Sequence, residues 1–297
     1  MQKALSFGEV LWDVIDGQPH IGGAPFNLAG HLAQLGAEAF FYGKIGRDPL
    51  GRRALDEIAA LGVRQKYIAL DGRYATGTAI VTLDGAGSPA YTFPDEVSYQ
   101  HIEIDDGTLR ALQKEGFALF YFGSMVQMAE ESRRTLFRIL ESCPFQNVFF
   151  DVNIRRGFCP REMAANSLRH ATILKLNEEE ARRFGALFAG GAGEADTVRS
   201  LFMQFARLRC VLVTKGPRGC TVYSRAETRE INECVSKAVD TVGAGDAFSA
   251  GFISGLLAGQ DWFRSARRGG ILSDFVAASH GAVPAYPAAL LERLRAC

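Results

Sequence analysis

No apolar run in the 297 residues approaches the roughly twenty that a membrane-spanning helix needs. Glu9 follows Met1 too soon for a secretory leader, so the expected compartment is the cytoplasm. The six cysteines, Cys143, Cys159, Cys210, Cys220, Cys234 and Cys297, form no CxxC pair, and no His lies at zinc-finger spacing from them. A disulfide framework is therefore not expected; buried or incidental thiols are. Charge of one sign is not in surplus: 33 Lys and Arg balance 33 Asp and Glu. That balance argues against general nucleic-acid binding and against an anionic membrane as partner. No GxxxxGK[ST] occurs; Gly43-Lys44 has Glu38 where the first glycine belongs, and Ile45 follows. No GxGxxG follows the first apolar run, which weakens a dinucleotide-dependent oxidoreductase. There is no repeat, charge block or linker long enough to split the chain.

The composition is that of a soluble globular protein, 47% hydrophobic and 22% charged, long enough for one large α/β domain. Apolar runs alternate with helical patterns, which predicts an α/β fold. Residues 4–12 read as a first strand, 25–35 as a helix closed by Gly36, 39–42 as a buried strand, and 49–61 as a helix capped by Asp48. Residues 78–83 and 90–93 flank Asp84-Gly85-Ala86-Gly87 and read as a β-hairpin, with 14–21 able to join it in a small antiparallel sheet. Buried strands are predicted at 118–122, 147–152, 173–176 and 211–214. Helices are predicted at 130–142, 161–170, 178–184, 195–208, 246–257 and 262–279. The four glycines of 185–193 read as a mobile surface loop.

Chemistry concentrates in Asp240-Thr241-Val242-Gly243-Ala244-Gly245-Asp246-Ala247-Phe248. Small residues just before a helix let an anion approach unpaired N–H groups at its positive end. On spacing alone, Asp246 reads equally as a helix cap or as a base. A cap does not require the flanking Gly-Ala-Gly, whereas phosphoryl transfer to an alcohol needs a carboxylate beside an oxyanion cradle. The stretch Gly22-Gly23-Ala24-Pro25-Phe26-Asn27 again exposes backbone amides before a helix. Asn27 there suits hydroxyl recognition, though a tight turn with a solvated Asn is the simpler reading of those residues by themselves.

These two stretches match a known pattern. Gly22-Gly23-x-x-x-Asn27 leading to Gly36, then Gly43-x-Ile45-Gly46-x-Asp48-x-x-Gly51, resembles the N-terminal signature of the ribokinase-like (PfkB) carbohydrate kinases. Asp240-Thr241-x-Gly243-Ala244-Gly245-Asp246 with Phe248 resembles their C-terminal signature. The resemblance runs from Gly8 to Gly281. It implies a ribokinase-like three-layer α/β fold: a central, mostly parallel sheet flanked by helices, with a small β-sheet lid. One kinase domain would span 1–297, with a lid from about 13–21 and 78–100.

The resemblance further implies an ATP-dependent sugar kinase, with Asp246 as general base and Gly243, Ala244 and Gly245 as anion hole near Thr241. Asp13, Gly23 and Asn27 would bind the sugar. Asn177-x-x-Glu180 resembles the motif that organises phosphate and Mg2+-bound water; without it, the pair reads as a capping box. Asp151-Val152-Asn153-Ile154-Arg155 resembles a segment whose Arg155 pairs with a sugar oxygen or phosphate, a surface ion pair being the rival reading. Lys215-Gly216-x-x-Gly219 resembles the turn beside the nucleotide, and the adenine pocket would lie between Gly216 and residues 273–279. Asp240, with the loop at Gly281-Ala282-Val283, resembles a K+ site. Gly8-Glu9-Val10-Leu11-Trp12-Asp13 and Gly281-Ala282-Val283-Pro284-Ala285 resemble the fructokinase branch, which implies D-fructose as acceptor. Ribose, 2-keto-3-deoxygluconate and nucleosides are the alternatives. Tyr91 and Phe93 would cover one sugar face. Some members pair through their lids, so a homodimer is compatible. A non-catalytic sugar-binding protein on the same fold is the rival of another class; it would not need the base.

Overall fold

The computed structural model describes residues 2–15, 17–83, 89–92, 94, 96–154, 157, 159–232 and 238–297, apart from the side chains at 15, 80–83 and 89–92. Phe93, Arg155 and Cys234 lie outside them. In chain order the chain forms β1 (Lys3–Phe7), β2 (Leu11–Ile15), β3 (Gln18–Gly22), α1 (Ala24–Gln34), β4 (Glu38–Gly46), α2 (Pro49–Ala60), β5 (Arg64–Asp71), β6 (Gly77–Leu83) and β7 (Pro89–Thr92). There follow α3 (Asp106–Glu115), β8 (Leu119–Phe122), α4 (Glu130–Ser142), β9 (Asn147–Asp151), α5 (Arg161–His170), β10 (Ile173–Asn177), α6 (Glu178–Phe188) and α7 (Glu194–Gln204). The chain ends with β11 (Cys210–Thr214), β12 (Cys220–Ser224), β13 (Thr228–Ile231), α8 (Ala244–Leu257), α9 (Trp262–Ala277) and α10 (Ala288–Ala296).

The main sheet has the order β13-β12-β11-β10-β9-β8-β1-β4-β5. It is parallel from β5 to β11 and antiparallel at β12 and β13. Its central strands are apolar on both faces, as a sheet covered on both sides requires. Phe120, Phe122, Phe150 and Leu174 pack towards α3 to α7. Leu119, Tyr121, Phe149 and Ile173 pack towards α1, α8, α9 and α10. The period of two therefore also sends Asp151 and Lys175 to the α8 side.

The second sheet has the order β3-β2-β6-β7. It is not wholly antiparallel, as the sequence suggested: β2 and β6 run parallel. In the chain β2 follows β1 and β6 follows β5, two strands of the parallel part of the main sheet. The single strand expected over 4–12 divides at residues 8–10, where the chain passes from one sheet to the other. The loop expected over 185–193 is shorter, because α6 runs to Phe188 and leaves 189–193 before α7. Gly185 sits there because α7 crosses close by; a Cβ on it would lie 2.8 Å from Thr197 Oγ1. Four cysteines, Cys143, Cys159, Cys210 and Cys220, are buried, and Cys297 is half-buried.

Candidate active site

Two helix starts meet at the centre of the molecule. α1 begins after Gly23, whose φ of 113° suits glycine and whose Cβ would fall 2.6 Å from Glu9 O. Pro25 occupies the first turn, followed by Asn27, which is 5% exposed. α8 begins after Gly243, at φ 77°, where a Cβ would strike Ala282 O at 2.6 Å. Asp246 is the third helical residue and not the cap, which Gly243 supplies without any side-chain bond. The cap reading of Asp246 is thereby excluded. Asn27 Nδ2 donates to Asp246 Oδ2 at 2.8 Å. The buried Asn27 Oδ1 has no hydrogen-bond partner among the described residues.

Asp13 stands on β2 opposite His20 of β3 and is half-buried. Its Oδ2 lies over Gly22: a Cβ there would be 2.8 Å away. Asp13 thus adjoins the Gly-Gly step that leads into Asn27. Phe93 and Arg155, the other expected sugar contacts, lie outside the described residues.

Against α8 lies a buried polar cluster around Asp151, the first residue of the Asp151–Arg155 segment. Lys175 Nζ donates to Asp151 Oδ1 and Oδ2 at 3.0 and 2.8 Å. Ser249 Oγ donates to Asp151 Oδ2 at 2.8 Å, and Tyr121 OH at 3.2 Å. Burial pulls the Lys175 ammonium towards neutrality, but Asp151 in contact, with Asp246 and Glu180 nearby, outweighs it and raises its pKa. Burial, reinforced by the Asp151 and Asp246 carboxylates, likewise pushes the Tyr121 hydroxyl well above its ordinary range. The motif segment contains Asp151, but the signal for Lys175 is only a lysine inside the apolar run of β10.

A cleft of about 660 Å³ opens on the other side of α8. It is lined by Thr241, Ala244 and Gly245, by Asn177, Gly216 and Gly219, and by Ser273, Asp274 and Ala277 of α9. Lys215 does not line it; its ammonium pairs with Glu194 Oε1 at 3.1 Å. Asn177 and Glu180 form a capping box: Asn177 Oδ1 accepts from Glu180 N at 2.9 Å and Glu180 Oε2 from Asn177 N at 2.8 Å. Glu180 Oε1 also accepts from Ile154 N at 2.8 Å. Burial raises the Glu180 pKa, against the pull of the Asn177 and Ile154 amides. With both oxygens engaged, Glu180 fits a metal reached through water better than a direct ligand. No cluster of three metal-ligating side chains occurs among the described residues. Asp240 Oδ1 accepts from Val242 N at 2.9 Å, and Oδ2 faces Gly281 N at 3.4 Å, so the expected cation loop and Asp240 do meet.

With this geometry in view, residues 1–289 match the sequence profile described as pfkB family carbohydrate kinase. The chain belongs to that family. It is 33% identical over 276 residues to a fructokinase of Klebsiella pneumoniae, covering 86% of this chain and 85% of that protein. It is 28% identical over 304 residues to an ATP-dependent 6-phosphofructokinase of Thermoanaerobacterium thermosaccharolyticum, covering 95% and 90%. A crystal structure of a double-mutant fructokinase from Vibrio cholerae O395, in fructose-, ADP- and potassium-bound form, superposes with a TM-score of 0.82 at 25% identity, covering 99% and 98%. This kinase therefore has the ribokinase-like fold, a mostly parallel central sheet between helical layers with a separate small sheet. It is a sugar kinase, a phosphotransferase with a hydroxyl acceptor. None of its described helices is long and apolar enough to cross a membrane.

Proposed function

We propose that this kinase is a fructokinase that moves the γ-phosphoryl group of ATP to a hydroxyl of D-fructose. The observation that carries the reading is the 2.8 Å hydrogen bond from Asn27 to Asp246, which orients one carboxylate in the first turn of a glycine-started helix. In this reading Asp246 takes the hydroxyl proton as the sugar oxygen attacks phosphorus. The amides of Gly243, Ala244 and Gly245 receive the charge that develops on the transferring group. ATP lies in the cleft between Gly216, α9 and the start of α8, with Thr241 and Asn177 near its phosphates. Glu180 would hold Mg2+ through water, which would neutralise phosphate charge, and Asp240 with the Gly281 loop would hold K+, which would steady the anion hole.

The sugar lies against Asp13, Gly23 and Asn27, and the unmatched Asn27 Oδ1 accepts one of its hydroxyls. The second sheet closes over the sugar as a lid and excludes water as a competing acceptor. The carboxylates gathered here, Asp13 and Asp246 with Glu9 behind, suit hydroxyl donors and disfavour a phosphorylated acceptor. The 33% identity to the Klebsiella pneumoniae protein named fructokinase supports the choice of ketose. The test is a coupled ADP-release screen over D-fructose, D-ribose, 2-keto-3-deoxygluconate, a phosphorylated fructose and adenosine. The expected result is the highest kcat/KM on D-fructose. A higher value on any other acceptor would overturn the substrate, and no ADP release on any would overturn catalysis.

A further inference from the structure

Lys175 is a charge in a place that seldom tolerates one. Its side chain is 9% exposed and that of Asp151 is 2% exposed. Burying such a pair carries a desolvation penalty that its mutual attraction seldom repays, and a well-packed apolar pair is often as stable or more so. Asp151 has neutral donors besides, from Tyr121 and Ser249. The cluster is also tied to the functional helix. Ser249 stands one turn beyond Gly245, and its hydroxyl lies 3.1 Å from Gly245 O. A Cβ built on Gly245 would lie 3.5 Å from Lys175 Nζ, so the ammonium sits directly behind the peptide that ends the anion hole.

We propose that Lys175 is a positioning residue for phosphoryl transfer: clamped by Asp151, its ammonium holds a fixed positive charge behind the Gly245 amide and beside Asp246. The proposal rests on the kinase reading above. In the step, a bond forms from the sugar oxygen to the γ-phosphorus, and the bond from that phosphorus to the β–γ bridging oxygen breaks. The hydroxyl proton passes to Asp246, and ADP leaves with the bridging electron pair. Lys175 neither gives nor takes a proton. It offsets the negative charge that Asp151, Asp246 and Glu180 place around the cradle, and so acts through the Gly245 amide and the Asp246 carboxylate.

The experiment compares Lys175→Met and the double variant Asp151→Asn/Lys175→Met with the wild type, using D-fructose and ATP. Both variants are expected to lose about a hundredfold in kcat while the KM values stay near wild type. Both are also expected to lose affinity for ADP with aluminium fluoride and D-fructose by a similar factor, while ADP alone binds unchanged. The double variant removes both charges, so its Tm should recover relative to Lys175→Met while its kcat does not. If Lys175→Met fails to fold, the double variant carries the same readouts. A double variant with wild-type kcat, or with undiminished aluminium-fluoride affinity, would reduce the pair to a structural role and overturn the proposal. A wild type that turns over no sugar would instead sink the kinase reading on which it rests.

Discussion

Asn27 and Asp246 stand 219 positions apart in the chain, yet Nδ2 of one donates to Oδ2 of the other at 2.8 Å. The bond locks the first turn of α1 to the first turn of α8. It also gives Asn27 a defined amide orientation. Under the proposed function, Asp246→Asn is expected to lower kcat by about a thousandfold, the ordinary contribution of a positioned base. Sugar and ATP binding should persist, because the substituted amide keeps an oxygen for Asn27. Asn27→Ala is expected to raise the KM for sugar and to lower kcat together, since it removes both a sugar contact and the orientation of the base. Steady-state kinetics on purified variants, with calorimetric sugar binding, separate the two. An Asp246→Asn enzyme of wild-type kcat would remove the base assignment.

Most of the main sheet was legible because a strand covered on both faces has to be largely apolar, as β8 to β11 are. The helix at Arg161–His170 was legible from its apolar spacing alone. Edge elements were not. β5 opens on Arg64-Gln65-Lys66, and its short apolar run Tyr67-Ile68-Ala69-Leu70 ends exposed; β13 is mostly exposed and carries no apolar run. The two glycine-rich stretches were visible as motifs, but their meeting is a long-range fact that no local pattern holds. Spacing also could not tell a helix cap from the third helical residue at Asp246, because both lie at the same loop-to-helix boundary. Lys175 escaped notice because its one signal, a lysine within Ile-Leu-Lys-Leu, gains meaning only when β10 is placed beside Asp151.

His31 provides a second test. It lies in α1, fully buried, with Nδ1 against the Tyr286 hydroxyl and the two rings stacked at 5.9 Å. Burial lowers its pKa from 6.5 to about 3. The folded chain therefore keeps it neutral over a range where the unfolded chain protonates it. Stability is at full value above pH 6.5 and falls as the pH drops from there towards 3. One proton of linkage corresponds to a slope of about 1.4 kcal/mol per pH unit inside that window. His31→Phe keeps an apolar ring but takes up no proton, so the difference between variant and wild type should shrink or reverse as the pH falls. Urea unfolding at several pH values measures it; parallel pH dependences in the two proteins would show that His31 is not the group responsible.

Asp48 links the N-terminal signature to the base of the second sheet. Its Oδ1 accepts from Gly51 N at 2.7 Å and from Thr76 Oγ1 at 2.9 Å, and its Oδ2 accepts from Thr76 N at 2.7 Å. Thr76 Oγ1 in turn accepts from Gly46 N at 3.1 Å. One carboxylate thus joins the end of β4, the start of α2 and the residue just before β6. Burial pushes its pKa up, but the Thr76 and Gly51 amides prevail and hold it below 3.8. Asp48→Ala removes the cap and leaves two amides without their acceptor, at an expected cost of about 2 kcal/mol. Asp48→Asn keeps one acceptor oxygen and should cost less. Because Thr76 opens the strand that carries the second sheet, the loss should not spread evenly: amide exchange should speed up most at 76–79 and least in β8 to β11. Uniform acceleration across both sheets would mean that Asp48 serves the whole fold and not this junction. The proposed closing motion would then have to draw its anchor from elsewhere, since a sheet can swing over the sugar only if the hinge beneath it holds.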